Sequence, residues 1–199
     1  MISARLPLFP LRTVLFPEGV LQLRLFEPRY LSMVGRCLKD GGGFGVVLAR
    51  TGTGKDPLGF HAFGTACEIS DWDQGDDGLL HIEVHGRRRF TVRSSEREPD
   101  GLIVGDIDYM DSDWGHPLAD DDAWLAELVH KLSEGLGQAA TPSPERLDDA
   151  AWISYRLSEL LPLVPAQRQA LLQMDDVAAR LSVLRQAIRL MEGGAEGSA

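Results

Sequence analysis

The sequence predicts an α+β protein, with a β-rich first part holding one embedded helix and a bundle of helices after it. Three observations carry this. Short apolar runs with period-two alternation, punctuated by Pro and Gly, follow one another as far as Tyr109. Within that part only the stretch from Pro28 to Asp40 repeats apolar residues at helical spacing. From Asp111 onward the period becomes helical and the strand signals stop. The expected organisation is a β-rich subdomain over residues 1–112, an α-helical subdomain over 113–192 and a disordered tail over 193–199.

Leu6 to Phe9 and Thr13 to Phe16 read as two short strands bounded by Pro7, Pro10 and Pro17. Proline cannot donate to a ladder, so these are edge positions, first residues or kinks. After a turn at Glu18-Gly19, Leu21, Leu23 and Leu25 alternate with Val20, Gln22 and Arg24, a half-buried strand with the leucines inward. Pro28 suits the first position of a helix, whose stripe is Tyr30, Val34, Cys37 and Leu38, with Leu31 beside it. Asp40-Gly41-Gly42-Gly43 stops that helix. Strands follow at Phe44 to Ala49 and Phe60 to Ile69, then a hairpin tip over Asp71 to Gly78. The chain returns over Leu79 to Val84, breaks at Gly86, resumes over Arg87 to Arg93 and ends its strands with Leu102 to Tyr109. Many short antiparallel strands of this kind make small barrels.

Asp111 to Pro117 reads as a linker. Asp120-Asp121-Asp122 opens a helix, where carboxylates complement the dipole, and Trp124, Leu125, Leu128, Val129 and Leu132 form its stripe as far as Gly135 and Gly137. Ala139 to Pro144 is a loop. A second helix is expected from about Pro144 to Leu161, a short one from Pro165 to about Met174, and a last one capped by Asp175 with Val177, Leu181, Leu184, Ile188 and Met191 on one face.

The composition excludes several kinds of function. The 199 residues carry a formal net charge of -10, which repels phosphate backbones and makes nucleic acid a poor partner. The two cysteines, Cys37 and Cys67, have no metal or redox spacing and read as buried thiols of a reducing cytoplasm. Neither a signal peptide nor a run of about 18 uncharged apolar residues is present, so a soluble, cytoplasmic protein is expected. Gly52-Thr53-Gly54-Lys55-Asp56 is no phosphate loop, because Ala49 and Asp56 stand where that motif needs Gly and a hydroxyl. Asp71 to Ile82 is no calcium loop, since Gly75, Asp76 and Ile82 hold the places of a ligand, the obligatory Gly and the bidentate Glu. His81 and His85 lie too far apart along a strand to share a metal. Arg87, Arg89 and Arg93 share a face that reads as solvated or salt-bridged. No catalytic, cofactor-binding or metal residue is expected.

The stretches Leu6-Pro7-Leu8-Phe9-Pro10-Leu11, Val14-Leu15-Phe16-Pro17 and Leu23-Arg24-Leu25-Phe26-Glu27-Pro28-Arg29-Tyr30 resemble the N-terminal, substrate-binding domain of the ATP-dependent Lon protease. Gly45-Val46-Val47, Val84 to Phe90, Tyr155 to Pro162 and Leu171 to Asp176 extend the resemblance, in order, over about residues 5 to 190. It implies a PUA-like pseudo-barrel, a helical bundle and a role in polypeptide recognition. Lon continues into an ATPase and a serine–lysine protease. Here the lysines are Lys39, Lys55 and Lys131, none in a protease context. The resemblance therefore implies the binding module without motor or protease.

The expected partner is an unfolded or exposed polypeptide segment, or a protein, met through apolar side chains between barrel and helices. The candidate contacts are Phe16, Tyr30, Trp72 and Trp114. Two alternatives stand beside this. One is an RNA-binding module using Arg87, Arg88, Arg89 and Arg93. The other is a small-molecule enzyme using a cleft between the subdomains.

Overall fold

A computed structural model describes residues 2–50, 59–135 and 144–196, so Gly52 to Asp56 and most of Ala139 to Pro144, the latter expected as a loop, lie outside the described residues. The chain divides into two compact units, Met1–Ser112 and Asp113–Ala199.

The first unit runs β1 (Ile2–Leu11), β2 (Val20–Leu25), α1 (Pro28–Asp40), β3 (Phe44–Ala49), β4 (Phe60–Gln74), β5 (Leu80–Arg97) and β6 (Ile103–Tyr109). The strand order is β2-β5-β4-β3-β1-β6, and an added β5–β6 pairing closes the ring. Closure depends on the length of β5: Leu80–His85 pairs with β2, whereas Phe90–Arg97 pairs with β6. The result is a barrel of five strands with β2 attached beside it. β1 and β3 are parallel, and β2 and α1 supply the long crossover such a pair needs.

β1 holds two prolines because its halves pair on opposite sides. Residues 2–8 pair with β6 and residues 8–11 with β3. Pro7 and Pro10 each lie in a half paired on one side only, where a missing N–H is tolerated. The strand expected over Thr13 to Phe16 is absent: Val14, Leu15 and Phe16 are buried but irregular. Their backbone is satisfied elsewhere. The Thr65 hydroxyl donates to the Leu15 carbonyl at 2.6 Å, and Glu18 N–H donates to the Gly86 carbonyl at 2.8 Å. Gly86 thus does not break β5. A β-carbon there would lie 2.1 Å from the Phe16 carbonyl oxygen, so glycine is what lets this segment lie against the strand. β4 also runs past the expected Ile69, because Asp71–Gln74 pairs with Leu80–Glu83, and the turn shrinks to Gly75–Leu79.

The barrel interior is packed by Leu8, Val47, Phe60, Phe90, Val92 and Ile107. Gly45, Gly64 and Gly105 make room there: added β-carbons would come within 2.6 to 2.7 Å of Phe90 or Leu8 side-chain atoms. A second apolar layer lies under α1, whose buried face is Tyr30, Met33, Val34 and Cys37. Leu31 and Leu38 are exposed rather than in that stripe. They sit about 90–110° around the helix from its centre. Glu27 precedes the helix in an extended conformation, Pro28 begins it, and Gly41 ends it at φ 66°.

The second unit has a 3-10 turn (Asp120–Asp122), α2 (Ala123–Gly135), α3 (Pro144–Leu147), α4 (Ala150–Leu160), α5 (Pro165–Gln173) and α6 (Val177–Glu196). The single helix expected over 144–161 is interrupted by Asp149, whose carboxylate accepts from the N–H groups of Ala151 and Trp152 at 2.8 and 3.2 Å and so starts α4 afresh. Trp124 is exposed, and α2 packs through Leu125 and Val129. Asp113, expected in a linker, is buried: it accepts from the Tyr155 hydroxyl and from Arg180. Residues 193–196, expected in the tail, continue α6. Among the described residues no helix is long and apolar enough to cross a membrane.

Candidate functional site

A groove of about 500 Å³ opens on the barrel unit where β1 and β2 end and α1 begins. Alternation along β2 turns Leu25 into the core and Phe26 out, 70% exposed. Pro28 disfavours helical geometry at the residue before it, and Glu27 is extended at φ -80°, ψ 129°. The chain therefore stays straight until the helix starts, and Phe26 remains at the surface. Leu11, Leu23 and Ile103 add apolar lining, and Tyr30 supplies the floor.

Tyr30 is fixed by its neighbours. Its ring stacks on Phe9 at 3.9 Å between centroids, and the Arg29 guanidinium lies 4.7 Å above it. Burial pushes the Tyr30 hydroxyl's pKa up, partly offset by the charge of Arg29. Arg29 pairs with Glu27 at 2.6 Å and donates to the Gly101 carbonyl at 3.1 Å. Arg97 donates to the same carbonyl at 3.0 Å. Arg24 is held by Asp77 at 2.5 Å. Arg12 stands exposed at the rim.

The four expected contact residues are dispersed. Phe16 is fully buried (0% exposed) in the irregular segment under β5 and presents no surface to a partner. Tyr30 lies in the groove with 7% of its surface exposed. Trp72, 57% exposed on β4, lines a neighbouring groove of about 460 Å³ with Asp71, His81 and Glu83, which shares Leu23 and Arg24 with the first. Trp114 belongs to the second unit, packed edge-on to Tyr155 at 5.5 Å with Arg146 over its ring. Phe26, Arg12 and Arg97 escaped the sequence reading, although the inward assignment of Leu25 already turns Phe26 outward.

The arginine run on β5 is not an open phosphate patch. Arg87 pairs with Glu68 at 2.9 Å, Arg88 donates to the Met110 carbonyl at 2.8 Å, and Arg93 pairs with Asp108 at 3.1 Å. Arg89, expected on a solvated or salt-bridged face, is only 3% exposed: it lies between the part of β5 paired with β2 and the part paired with β6, beside a register shift in the β4 ladder. Cys37 and Cys67 are free, buried thiols whose pKa burial raises, which leaves them protonated and unreactive. Among the described residues no cluster of His, Cys, Asp and Glu could hold a metal ion.

Residues 5–189 match the family described as the ATP-dependent protease La (LON) substrate-binding domain. A Lon protease of Methylocella silvestris is 27% identical over 86% of this chain, and one of Anaeromyxobacter dehalogenans 25% identical over 92%. The chain spans 22% and 23% of those proteins. A Lon N-terminal domain protein from Xanthomonas campestris superposes with a TM-score of 0.77 at 38% identity, over 92% of this chain and 98% of its own. The N-terminal domain of a Mycobacterium avium complex Lon protease shares the fold, with a TM-score of 0.60 at 18% identity over 91% of this chain and 96% of its own.

Proposed function

The chain belongs to the family of the substrate-binding domain of the ATP-dependent protease Lon, and on that premise we propose that it is a non-catalytic module of the cytoplasm that binds extended or unfolded segments of other polypeptides. The observation that carries this is the groove in which exposed Phe26 stands beside the stacked, pre-ordered Tyr30. A rigid aromatic floor and an unpaired aromatic at its edge are what an apolar side chain of a partner seats against. The groove's charged donors are chiefly arginines, which stay protonated and serve as fixed hydrogen-bond donors rather than as proton-exchanging catalysts.

Fluorescence anisotropy tests the reading. A fluorescein-labelled polypeptide kept unfolded by reduction and carbamidomethylation is titrated with the protein, beside the same polypeptide in its native form. Binding of the unfolded form alone, weakened about tenfold by Phe26→Ser, is expected. Equal binding of native and unfolded forms, or none of either, overturns it.

A further inference from the structure

We infer that this groove selects segments in which carboxylates flank an apolar anchor; the inference rests on the polypeptide-binding reading above. The chain as a whole is acidic, with 30 Asp and Glu against 20 Lys and Arg. The groove reverses that balance, for among the described residues Arg12, Arg24, Arg29 and Arg97 line it against one carboxylate, that of Glu27. Glu27 is engaged by Arg29, and Arg24 is engaged by Asp77. Arg12 and Arg97 are left without a carboxylate partner among the described residues, and both are exposed. Arg97 gives one N–H to the Gly101 carbonyl and keeps the rest of its guanidinium fork for another acceptor.

α1 begins at the groove with no acidic residue in its first turn, and Glu27 before it makes no side-chain cap hydrogen bond, so the helix dipole adds positive potential there. The adjoining groove, lined by Asp71, Asp73 and Glu83, has the opposite sign. A guanidinium takes a carboxylate in two parallel hydrogen bonds, and an aromatic floor takes the apolar side chain between. A long polyanion is a worse fit than a short acidic segment. It would leave the groove and run over a surface that repels it.

Three fluorescein-labelled nonapeptides with identical apolar residues test this, the intervening positions being all Glu and Asp, all Gln and Asn, or all Lys. The acidic peptide is expected to bind about fivefold or more tighter than the neutral one. Raising the salt to about 0.5 M should erase the difference. The double variant Arg12→Gln, Arg97→Gln should bind both peptides alike while melting as the parent does, since both arginines are exposed. Acidic and neutral peptides binding equally, both weakened by Phe26→Ser, would overturn the charge selectivity and leave the polypeptide-binding reading standing. Tightest binding of the lysine peptide, or displacement of the acidic peptide by a stronger-binding oligouridylate, would overturn it as well. Failure of all three peptides, together with the unfolded polypeptide, would remove both.

Discussion

The two units solve the same packing problem by opposite means. The barrel is filled by shape. Phe90 and Leu8 occupy space that Gly45, Gly64 and Gly105 leave open, and the cluster is wholly apolar. The helical unit is instead built around a buried cation. Arg180 is fully buried and spends its donors on the Ser154 hydroxyl at 2.7 Å, the Met174 carbonyl at 2.8 Å and Asp113 at 2.7 Å, with its guanidinium 4.1 Å from the Tyr155 ring. Tyr155 donates to the same carboxylate at 2.6 Å. Burying such a pair is costly, and it is tolerated when the hydrogen bonds are satisfied, as they are here. The difference teaches where each unit can change. An apolar interior limited by volume tolerates smaller side chains with graded losses, whereas a satisfied ionic knot fails when one partner goes. The knot contributes no residue to the groove, whose floor, Phe9, Leu25 and Tyr30, belongs to the apolar layer under α1, while Phe26 and Arg12 at its edge are exposed.

The largest expected effect breaks the knot. Arg180→Leu strands Asp113 in the interior and should cost about 3–5 kcal/mol in the helical unit. In a Trp72→Phe background the remaining tryptophans, Trp114, Trp124 and Trp152, all report on that unit. Urea melts followed by tryptophan fluorescence should show the loss. Adding Asp113→Leu should recover part of it, and a cost below about 1 kcal/mol for the single variant would end the contrast drawn between the units. Overfilling the barrel comes next. Gly45→Ala brings a β-carbon 2.6 Å from the Phe90 ring and should cost about 1–3 kcal/mol. Phe90→Leu in the same chain should make that substitution cheaper, because the nearest atoms to that β-carbon belong to the Phe90 and Leu8 side chains.

The dependence on pH is weaker and belongs to the barrel. Asp77, Glu83 and Asp106 are held below the usual carboxylate range, chiefly by the Leu79 N–H, the Ser70 hydroxyl and the Ser94 hydroxyl respectively. A folded pKa below the unfolded one adds stability that is present above the unfolded value and disappears as pH falls through the folded one. Tyr30, Tyr109 and the buried thiols Cys37 and Cys67 have the opposite sign: their raised pKa values add stability present below each group's unfolded value and lost as pH rises through the folded one. The thermal midpoint of the barrel should therefore fall below about pH 4 and above about pH 9. Ser94→Ala should flatten part of the acid limb and Tyr30→Phe part of the alkaline one, and unchanged limbs would contradict these assignments. The smallest effect on stability is Phe26→Ser, expected within about 0.5 kcal/mol of the parent in a urea melt.

Much of this architecture is legible in the sequence where local chemistry decides. Pro28 and Gly41 bracket α1, and the apolar run Phe44 to Ala49 is β3 at those same limits. The failures share a cause: partners distant in sequence. Gly86 reads as a break until the Phe16 carbonyl lies against it, and Val14 to Phe16 reads as a strand until Thr65 supplies a side-chain bond in place of a ladder. Asp113 reads as linker because Arg180 and Tyr155, which bury it, come far later. In the groove, Tyr30 is legible as an apolar-stripe residue of the first helix and a candidate contact. The arginines are not, because Arg12 and Arg97 line one groove only once β6 has joined β1 to β5.

The central claim is that polypeptide binding belongs to the groove at the start of α1. Hydrogen exchange read by mass spectrometry, with and without a saturating unfolded polypeptide, tests it most directly. The account predicts slowed exchange over Leu23 to Tyr30 and around Leu11, Arg97 and Ile103, with the amides around Arg180 unchanged. Protection confined to the helices after Asp113, with none around Phe26, would contradict it.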